Sequence, residues 1–300
     1  MVVYNPAAGR NGELEQVREA LTDRGADLPW ISTTTRDPGV GVARDAAEEG
    51  ASAVIAVGGD GTARSCAEGL LGSGVPLGLI PIGTGNLLAR GLGIPIAVAE
   101  SVAVALLGST RMIDVGLANG EPFVVMAGMG LDARMIKDAD PGLKSRLGPI
   151  AYLASAARHL RRPPFAVSLV LDGDRERSYR ATMVLVANLG ELPGGVSLFP
   201  DADPADGLLD VLIVEATGVL GWLGVVAATL MRRRRAGIHR HSARRAEIRT
   251  TSPQPYEVDG EERPRTRRVE LSVRPAALSC VVPGDRSGNA APDTPTERLP

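Results

Sequence analysis

Cysteine and lysine are nearly missing from this chain of 300 residues, and both gaps restrict what it can be. The two cysteines, Cys66 in a helical pattern and Cys280 in an apolar strand pattern, exclude a disulfide framework and fit a reducing cytoplasm. Lys137 and Lys144 are the only lysines among 33 basic residues, and with a formal net charge of −2 the chain as a whole presents no basic surface for nucleic acid. No GxxxxGK[ST] occurs, which excludes the ordinary P-loop. Nor does a basic segment with a long apolar core follow Met1, so no secretory signal is expected. Hydrophobic residues, at 44%, suffice for two globular domains with cores of their own.

What is there is concentrated in residues 53–95. Residues 53–57 form an uncharged apolar run stopped by Gly58 and Gly59, which predicts a buried parallel strand ending in a turn. The glycines let the backbone approach a ligand, Asp60 supplies a carboxylate, and Gly61 and Thr62 open a helix. That helix has Ala63, Cys66, Ala67 and Leu70 at i, i+3, i+4, i+7 spacing on one face, with Gly72 where a C-terminal cap belongs. Residues 77–80 are a second apolar run, and Gly83, Thr84, Gly85 and Asn86 form a second glycine turn. Two such turns side by side make an anion cradle. N–H groups at helix starts, aided by the Thr62 and Thr84 hydroxyls, suit phosphate oxygens, and Asp60 can hold a divalent ion against them. Two ordinary strand-to-helix turns are the alternative.

GGDGT at residues 58–62, followed by PxGTxN over residues 81–86, resembles the diacylglycerol kinase catalytic domain of bacterial soluble lipid kinases. NAD kinases share GGDGT, and phosphofructokinases have a variant of it. The opening NPAAGR, a turn built on Asn5, Pro6 and Gly9, is similar to the NPxxG(K/R) of the lipid kinases, where the turn faces the nucleotide. Helices are predicted over residues 13–24, 40–49 and 96–107, and strands over 30–34 and 111–116. Strand and helix thus alternate over residues 1–118, the pattern of a doubly wound parallel sheet with ligands at the carboxyl ends of its strands. The resemblance implies a nucleotide against Asn5, Thr35, Gly58, Gly59, Asp60, Gly61, Thr62, Ala63, Arg64, Ser65, Gly83, Thr84 and Asn86. It also matches Asp114 to an aspartate of the kinases' Mg²⁺ and nucleotide network. The chain departs from the family at Leu87, where many relatives have aspartate, and at Arg64 and Ser65, which replace Asn-Glu.

In the second half, GMGLDA at residues 128–133 satisfies GxGxxG/A, but no acid follows at the end of a second strand, so a dinucleotide site is rejected. A helix is expected over residues 149–160. Alternation at Phe165, Val167, Leu169 and Leu171, a turn at Asp172-Gly173 and a return over residues 179–189 predict antiparallel strands. Asp201, Asp203, Asp206 and Asp210 crowd into one loop, which wants a cation or is simply solvated. In the family's matching DGxLD segment, residues corresponding to Asp203 and Asp206 and the carbonyl of Leu208 hold a structural Mg²⁺. Residues 216–231 carry no charge and are too short to span a bilayer, and residues 232–249 hold eight arginines against one glutamate. That pair of features suggests either a surface for anionic lipid headgroups or a core-packing helix before a solvated linker. Short strands at residues 247–250, 255–258, 268–273 and 278–282 predict an antiparallel sandwich. VDGE at residues 258–261 reads as a hairpin turn with exposed acids, and in the family its glutamate, here Glu261, is the proposed general base.

Over residues 2–283 the resemblance implies a two-domain lipid kinase fold. An α/β nucleotide-binding domain, doubly wound and like NAD kinase or phosphofructokinase, takes residues 1–118, with residues 273–283 returning to it. A β-sandwich lipid-binding domain takes residues 119–272, and residues 284–300 form a disordered tail. The implied activity is ATP-dependent phosphoryl transfer to diacylglycerol or a related lipid. Glu261 and Asp60 are its catalytic residues, and Mg²⁺ lies near Asp203, Asp206, Leu208 and Asp114. Expected partners are the lipid and an anionic membrane surface touched peripherally from the cytoplasm, with a homodimer as a further option and no nucleic acid. NAD kinase, favoured by GGDGT, is one alternative. A catalytically silent nucleotide-binding protein that docks on membranes, suggested by Leu87, Arg64 and Ser65, is the other.

Overall fold

The structure, a computed structural model, describes residues 1–9, 12–130, 163–192, 196–197, 199, 202–230 and 236–284. The first unit is built from β1 (Val2–Tyr4), α1 (Glu13–Thr22), β2 (Trp30–Ser32), α2 (Val40–Glu48), β3 (Val54–Gly58), α3 (Asp60–Gly69), β4 (Leu77–Pro81), α4 (Leu87–Gly91) and α5 (Val98–Leu107). Its four strands pair in parallel in the order β4-β3-β1-β2. Every residue of β3 and β4 is buried, which is why both read as uncharged runs and not as alternating ones. Successive side chains divide between two layers. Val2, Ile55, Val57 and Ile80 pack with Val17 and Leu21 of α1 and Val102 of α5, while Val3, Ala56 and Leu79 pack with Ala43 of α2 and Cys66 and Ala67 of α3. Helices on both faces of a parallel sheet make this the doubly wound α/β unit expected.

The second unit adds β5 (Ser109–Ala118), β6 (Glu121–Phe123), β7 (Met126–Gly130), β8 (Phe165–Leu171), β9 (Arg177–Ala181), β10 (Met183–Ala187), β11 (Glu191–Leu192), β12 (Val196–Ser197), β13 (Leu209–Val214), α6 (Gly218–Leu230), β14 (Ile238–Ala243), β15 (Arg245–Val258) and β16 (Glu261–Val282). Val184, Val186, Val211 and Ile213 of β10 and β13 share one core cluster with Val167 and Leu169 of β8, Ile248 of β15 and Leu271 of β16. Two antiparallel layers thus close on each other as a sandwich, the second-domain architecture expected. A recess in that core, bordered by Met129, Val186 and Tyr256, measures about 10 Å³, the space of a single water.

Strand β16 joins the units. It begins against β15, runs beside β5, and ends with Cys280 paired in parallel to Leu77 of β4. The two strands expected at residues 268–273 and 278–282 are parts of this one 22-residue strand. A register shift between Arg274 and Leu278, with Ala276 at φ 46, absorbs Pro275. Residues 247–250 and 255–258 likewise belong to the single strand β15, whose register shifts around Gln254 accommodate Pro253 and Pro255. Conversely, the strand expected over residues 179–189 is divided at Thr182, whose hydroxyl donates to the carbonyls of Val214 and Ala216, both at 3.0 Å.

Of the two alternatives for the apolar helix, the described part of α6 packs inward, with Trp222, Val225 and Ala228 buried and Leu223 47% exposed. No helix among the described residues is long and apolar enough to cross a membrane. The arginines at residues 232–235, the helix expected over 149–160 and the tail over 285–300 lie outside the described residues.

Candidate active site

Because β4, β3, β1 and β2 are parallel neighbours, the turns that follow them share one edge of the sheet. Asn5 follows β1, Thr35 lies in the exposed loop after β2, Gly59 follows β3 and Gly83 follows β4. Four segments far apart in sequence are thereby gathered at the carboxyl edge. The Asn5 N–H donates to the Val57 carbonyl at 3.1 Å, and its side-chain oxygen accepts from the Ala7 N–H at 2.9 Å, which fixes the opening turn beside β3.

The two glycine turns touch backbone to backbone. A Cβ on Gly83 would sit under 3.0 Å from both Gly59 Cα and the Asn86 side chain, closer than real Cβ atoms come. Asn86 takes the left-handed conformation at φ 52 and closes its own turn, donating from Nδ2 to the Gly83 carbonyl at 2.9 Å and accepting the Gly83 N–H on Oδ1 at 3.1 Å. Asp60, expected to face a metal ion, instead spans the two turns. Its Oδ2 accepts the Asn86 N–H at 2.8 Å and its Oδ1 the Leu87 N–H, so it caps the start of α4 from the start of α3. Gly61, Gly83 and Thr84 are exposed, and the first N–H groups of α3 point past its N-terminus, so the cradle suits phosphate oxygens. Thr62 and Ser65 do not join it. Both are buried, Thr62 against Gly58 and Ser65 near Gly39. Ala63 lines a recess of about 10 Å³ beneath the turns, too small for anything beyond one water. Replacing Gly83 by alanine should push the turns apart at an overpacking cost of about 1–3 kcal/mol, read as a lower midpoint in denaturant unfolding.

Arg64, expected beside the nucleotide, reaches the second unit instead. From one turn along α3 its guanidinium meets the hairpin between β15 and β16. Nη1 lies 2.6 Å from Oε2 of Glu261, Nη2 lies 2.6 Å from Oε1 of Glu121 on β6, and Nε is 3.9 Å from Asp259. Arg263 completes the cluster, with Nη2 2.9 Å from the same Oε2 of Glu261 and Nε 2.7 Å from Oε2 of Glu121. Glu261, expected as the general base, is bound to two guanidiniums while remaining 56% exposed. Burial raises the Glu261 pKa, but hydrogen bonds from Arg263 and Arg64 outweigh it and leave the carboxyl below its ordinary value. Asp259 is the anchor of the turn. Its carboxylate accepts the N–H groups of Val124, Val125 and Met126 at 2.8, 2.9 and 2.9 Å, and φ values of 47 and 83 at Asp259 and Gly260 make a tight two-residue hairpin. Full burial pushes its pKa up to about 6, against those N–H groups and Arg64, which pull it down.

Glu121 and Arg263 escape a reading by motif, although Arg263 stands two residues after Glu261 on a strand and so on the same face. Hydrogen bonding from Arg263, with Arg64 behind it, holds the Glu121 carboxyl below the usual carboxylate range. A depressed carboxyl stabilises the fold above its unfolded pKa, near 4.3, and that contribution is lost as pH falls through the folded value. Melting temperatures of the parent and Glu121→Gln should therefore differ at neutral pH and converge in acid below the ordinary glutamate range.

Hydrogen bonds and an ion pair shape the acidic loop. Asp203 Oδ1 pairs with Arg111 Nη2 at 2.5 Å and accepts the Ala205 N–H at 3.1 Å, while Asp206 accepts the Leu208 N–H at 2.9 Å. Asp114, expected in a metal network, is buried and accepts the N–H groups of Gly207 and Ala276 at 2.7 and 2.8 Å, tying β5 to the loop and to the bulge of β16. Carboxylate and carbonyl oxygens are the right chemistry for Mg²⁺. Among the described residues no group of three or more His, Cys, Asp or Glu is placed to hold a metal, whereas the expected set is of another kind, the Asp203 and Asp206 carboxylates with the Leu208 carbonyl. Asp201 lies outside the described residues.

These features define a two-domain kinase fold with its glycine turns at the sheet edge. Residues 1–118 match the family described as diacylglycerol kinase catalytic domain, and residues 124–282 match the YegS C-terminal NAD kinase beta sandwich-like domain. The chain is 30% identical over 236 residues to the diacylglycerol kinase of Bacillus subtilis, covering 76% of this chain and 78% of that protein. It is also 30% identical over 222 residues to the diacylglycerol kinase of Mycobacterium tuberculosis, covering 71% and 72%. A crystal structure of a diacylglycerol kinase from Bacillus anthracis superposes with a TM-score of 0.78 at 26% identity, covering 94% of this chain and 96% of the other. The chain belongs to the diacylglycerol kinase and YegS-like lipid kinase family.

Proposed function

We propose that this protein is an ATP-dependent kinase that phosphorylates the hydroxyl of diacylglycerol or a related neutral lipid alcohol. The observation that carries the proposal is the sharing of one helix. The N-terminus of α3 forms half of the glycine cradle, and four residues beyond Asp60 the same helix grips the Glu261 carboxylate through Arg64. ATP bound at the cradle supplies the γ-phosphoryl group, and Mg²⁺, when bound, would neutralise the charge on its phosphates.

The protein's own part is positioning and proton transfer. Gly59, Gly61, Gly83 and Thr84 orient the phosphates, and Asp60 keeps the two turns in register. Glu261 accepts the proton of the lipid hydroxyl as the new O–P bond forms and the bond to the β-phosphate breaks, with ADP leaving with the electron pair. The lipid is taken from a membrane surface, where the exposed Arg240, Arg244 and Arg245 favour anionic headgroups. Incubation with γ-labelled ATP, Mg²⁺ and either diacylglycerol vesicles or NAD tests the assignment. Label in the organic extract is expected, and label in NADP alone would replace this function with that of an NAD kinase.

A further inference from the structure

We propose that Arg64 is the positioning residue of the transfer step, holding one oxygen of Glu261 so that the other is presented to the lipid hydroxyl. The proposal rests on the assignment of Glu261 as the general base. Both guanidinium contacts to Glu261 are made to Oε2, by Arg64 at 2.6 Å and by Arg263 at 2.9 Å. These two contacts grip the carboxylate at Oε2 while the side chain is 56% exposed, and on this proposal Oε1 is the oxygen offered to the lipid. A glutamate at the start of a strand otherwise samples several rotamers, whereas a base must lie within hydrogen-bond reach of the proton it takes.

Arg64 is suited to fix that distance because its own place is fixed. Its side chain is 11% exposed, and Glu121 holds the far end of its guanidinium at 2.6 Å. It stands one helical turn after Asp60, so the base and the phosphate cradle are referenced to the same rigid element. Its buried Nε makes no hydrogen bond and lies 3.9 Å from Asp259, a polar group kept near the hairpin without a tie of its own. The charged groups facing Glu261 are Arg64 from α3 and Arg263 from β16, with Asp259 in the turn and Glu121 on β6 behind the two arginines.

Arg64→Gln is the test, measured beside Glu261→Gln. The expected result is a kcat lowered about tenfold with the KM for ATP within about twofold, and an acid limb of the kcat profile moved to higher pH because one guanidinium no longer favours the ionised carboxylate. Arg64→Lys should bring the acid limb partly back without restoring the rate, since an ammonium cannot bridge Glu121 and Glu261 as a planar fork does. A carboxyl ¹³C titration of Glu261, assigned by its loss in Glu261→Gln, reads the same upward shift without any turnover. An unmoved titration and acid limb in Arg64→Gln would overturn the proposal while leaving the base assignment intact. A raised ATP KM at unchanged kcat would make Arg64 a nucleotide contact instead. Parental turnover by Glu261→Gln would remove the base and the positioning role together.

Discussion

Glu261→Gln is expected to lower lipid phosphorylation by about a hundredfold or more, the scale for losing a general base, while leaving ATP affinity and melting temperature close to those of the parent. The amide keeps the shape of the side chain and its contacts to Arg64 and Arg263, and Glu121 still holds both arginines in place. At 56% exposure the side chain contributes little to the core, so a large fall in turnover is chemical and not structural. The neighbouring Asp259 behaves in the opposite way. Its two oxygens accept three backbone N–H groups, and asparagine offers one acceptor and turns a donor toward the rest, so Asp259→Asn should show its effect in unfolding experiments. Parental turnover in Glu261→Gln would move the base elsewhere.

Asp60→Ala has the second large effect, and it strikes fold and function together. The substitution strands the N–H groups of Asn86 and Leu87, each of which donates to the carboxylate. Hydrogen bonds to charged groups are worth about 1.5–3 kcal/mol each when buried. Asp60 is only partly buried, so about 2 kcal/mol for the pair is expected in denaturant unfolding. The loss of ATP binding should be larger, because the second turn loses its register against the first and the phosphate-facing N–H groups no longer converge. Asp60→Asn should fare no better, since one of its two polar ends faces an N–H as a donor. An Asp60→Ala protein that binds ATP as the parent does would show that the cradle holds its shape without the carboxylate.

What the sequence discloses and what it hides follow from how far each interaction reaches. Strands β3 and β4 are legible because burial on both faces forbids charge, and the glycine turns are legible because two backbones in contact leave no room for Cβ atoms. The length of β15 and β16 is not, because Pro253, Pro255 and Pro275 signal breaks that local register shifts absorb. Side-chain direction is hidden for a different reason. Arg64 looks like part of the glycine motif, but its partners lie 57 residues on at Glu121 and on a hairpin near the end of the chain. Asp114 and Asp60 are equally ambiguous, since a carboxylate beside a glycine turn can face a cation or a cluster of N–H groups. Here it faces N–H groups in both cases.

Transfer of label from γ-labelled ATP to a panel of neutral lipid alcohols in mixed vesicles with Mg²⁺ tests the central claim most directly. Phosphate appearing in the chloroform-soluble product, with diacylglycerol or a close relative as the best acceptor, is the predicted result. ATP bound by the protein with no lipid labelled anywhere on the panel would contradict it, and would make the ion-paired Glu261 the mark of a nucleotide-binding protein without phosphotransferase activity.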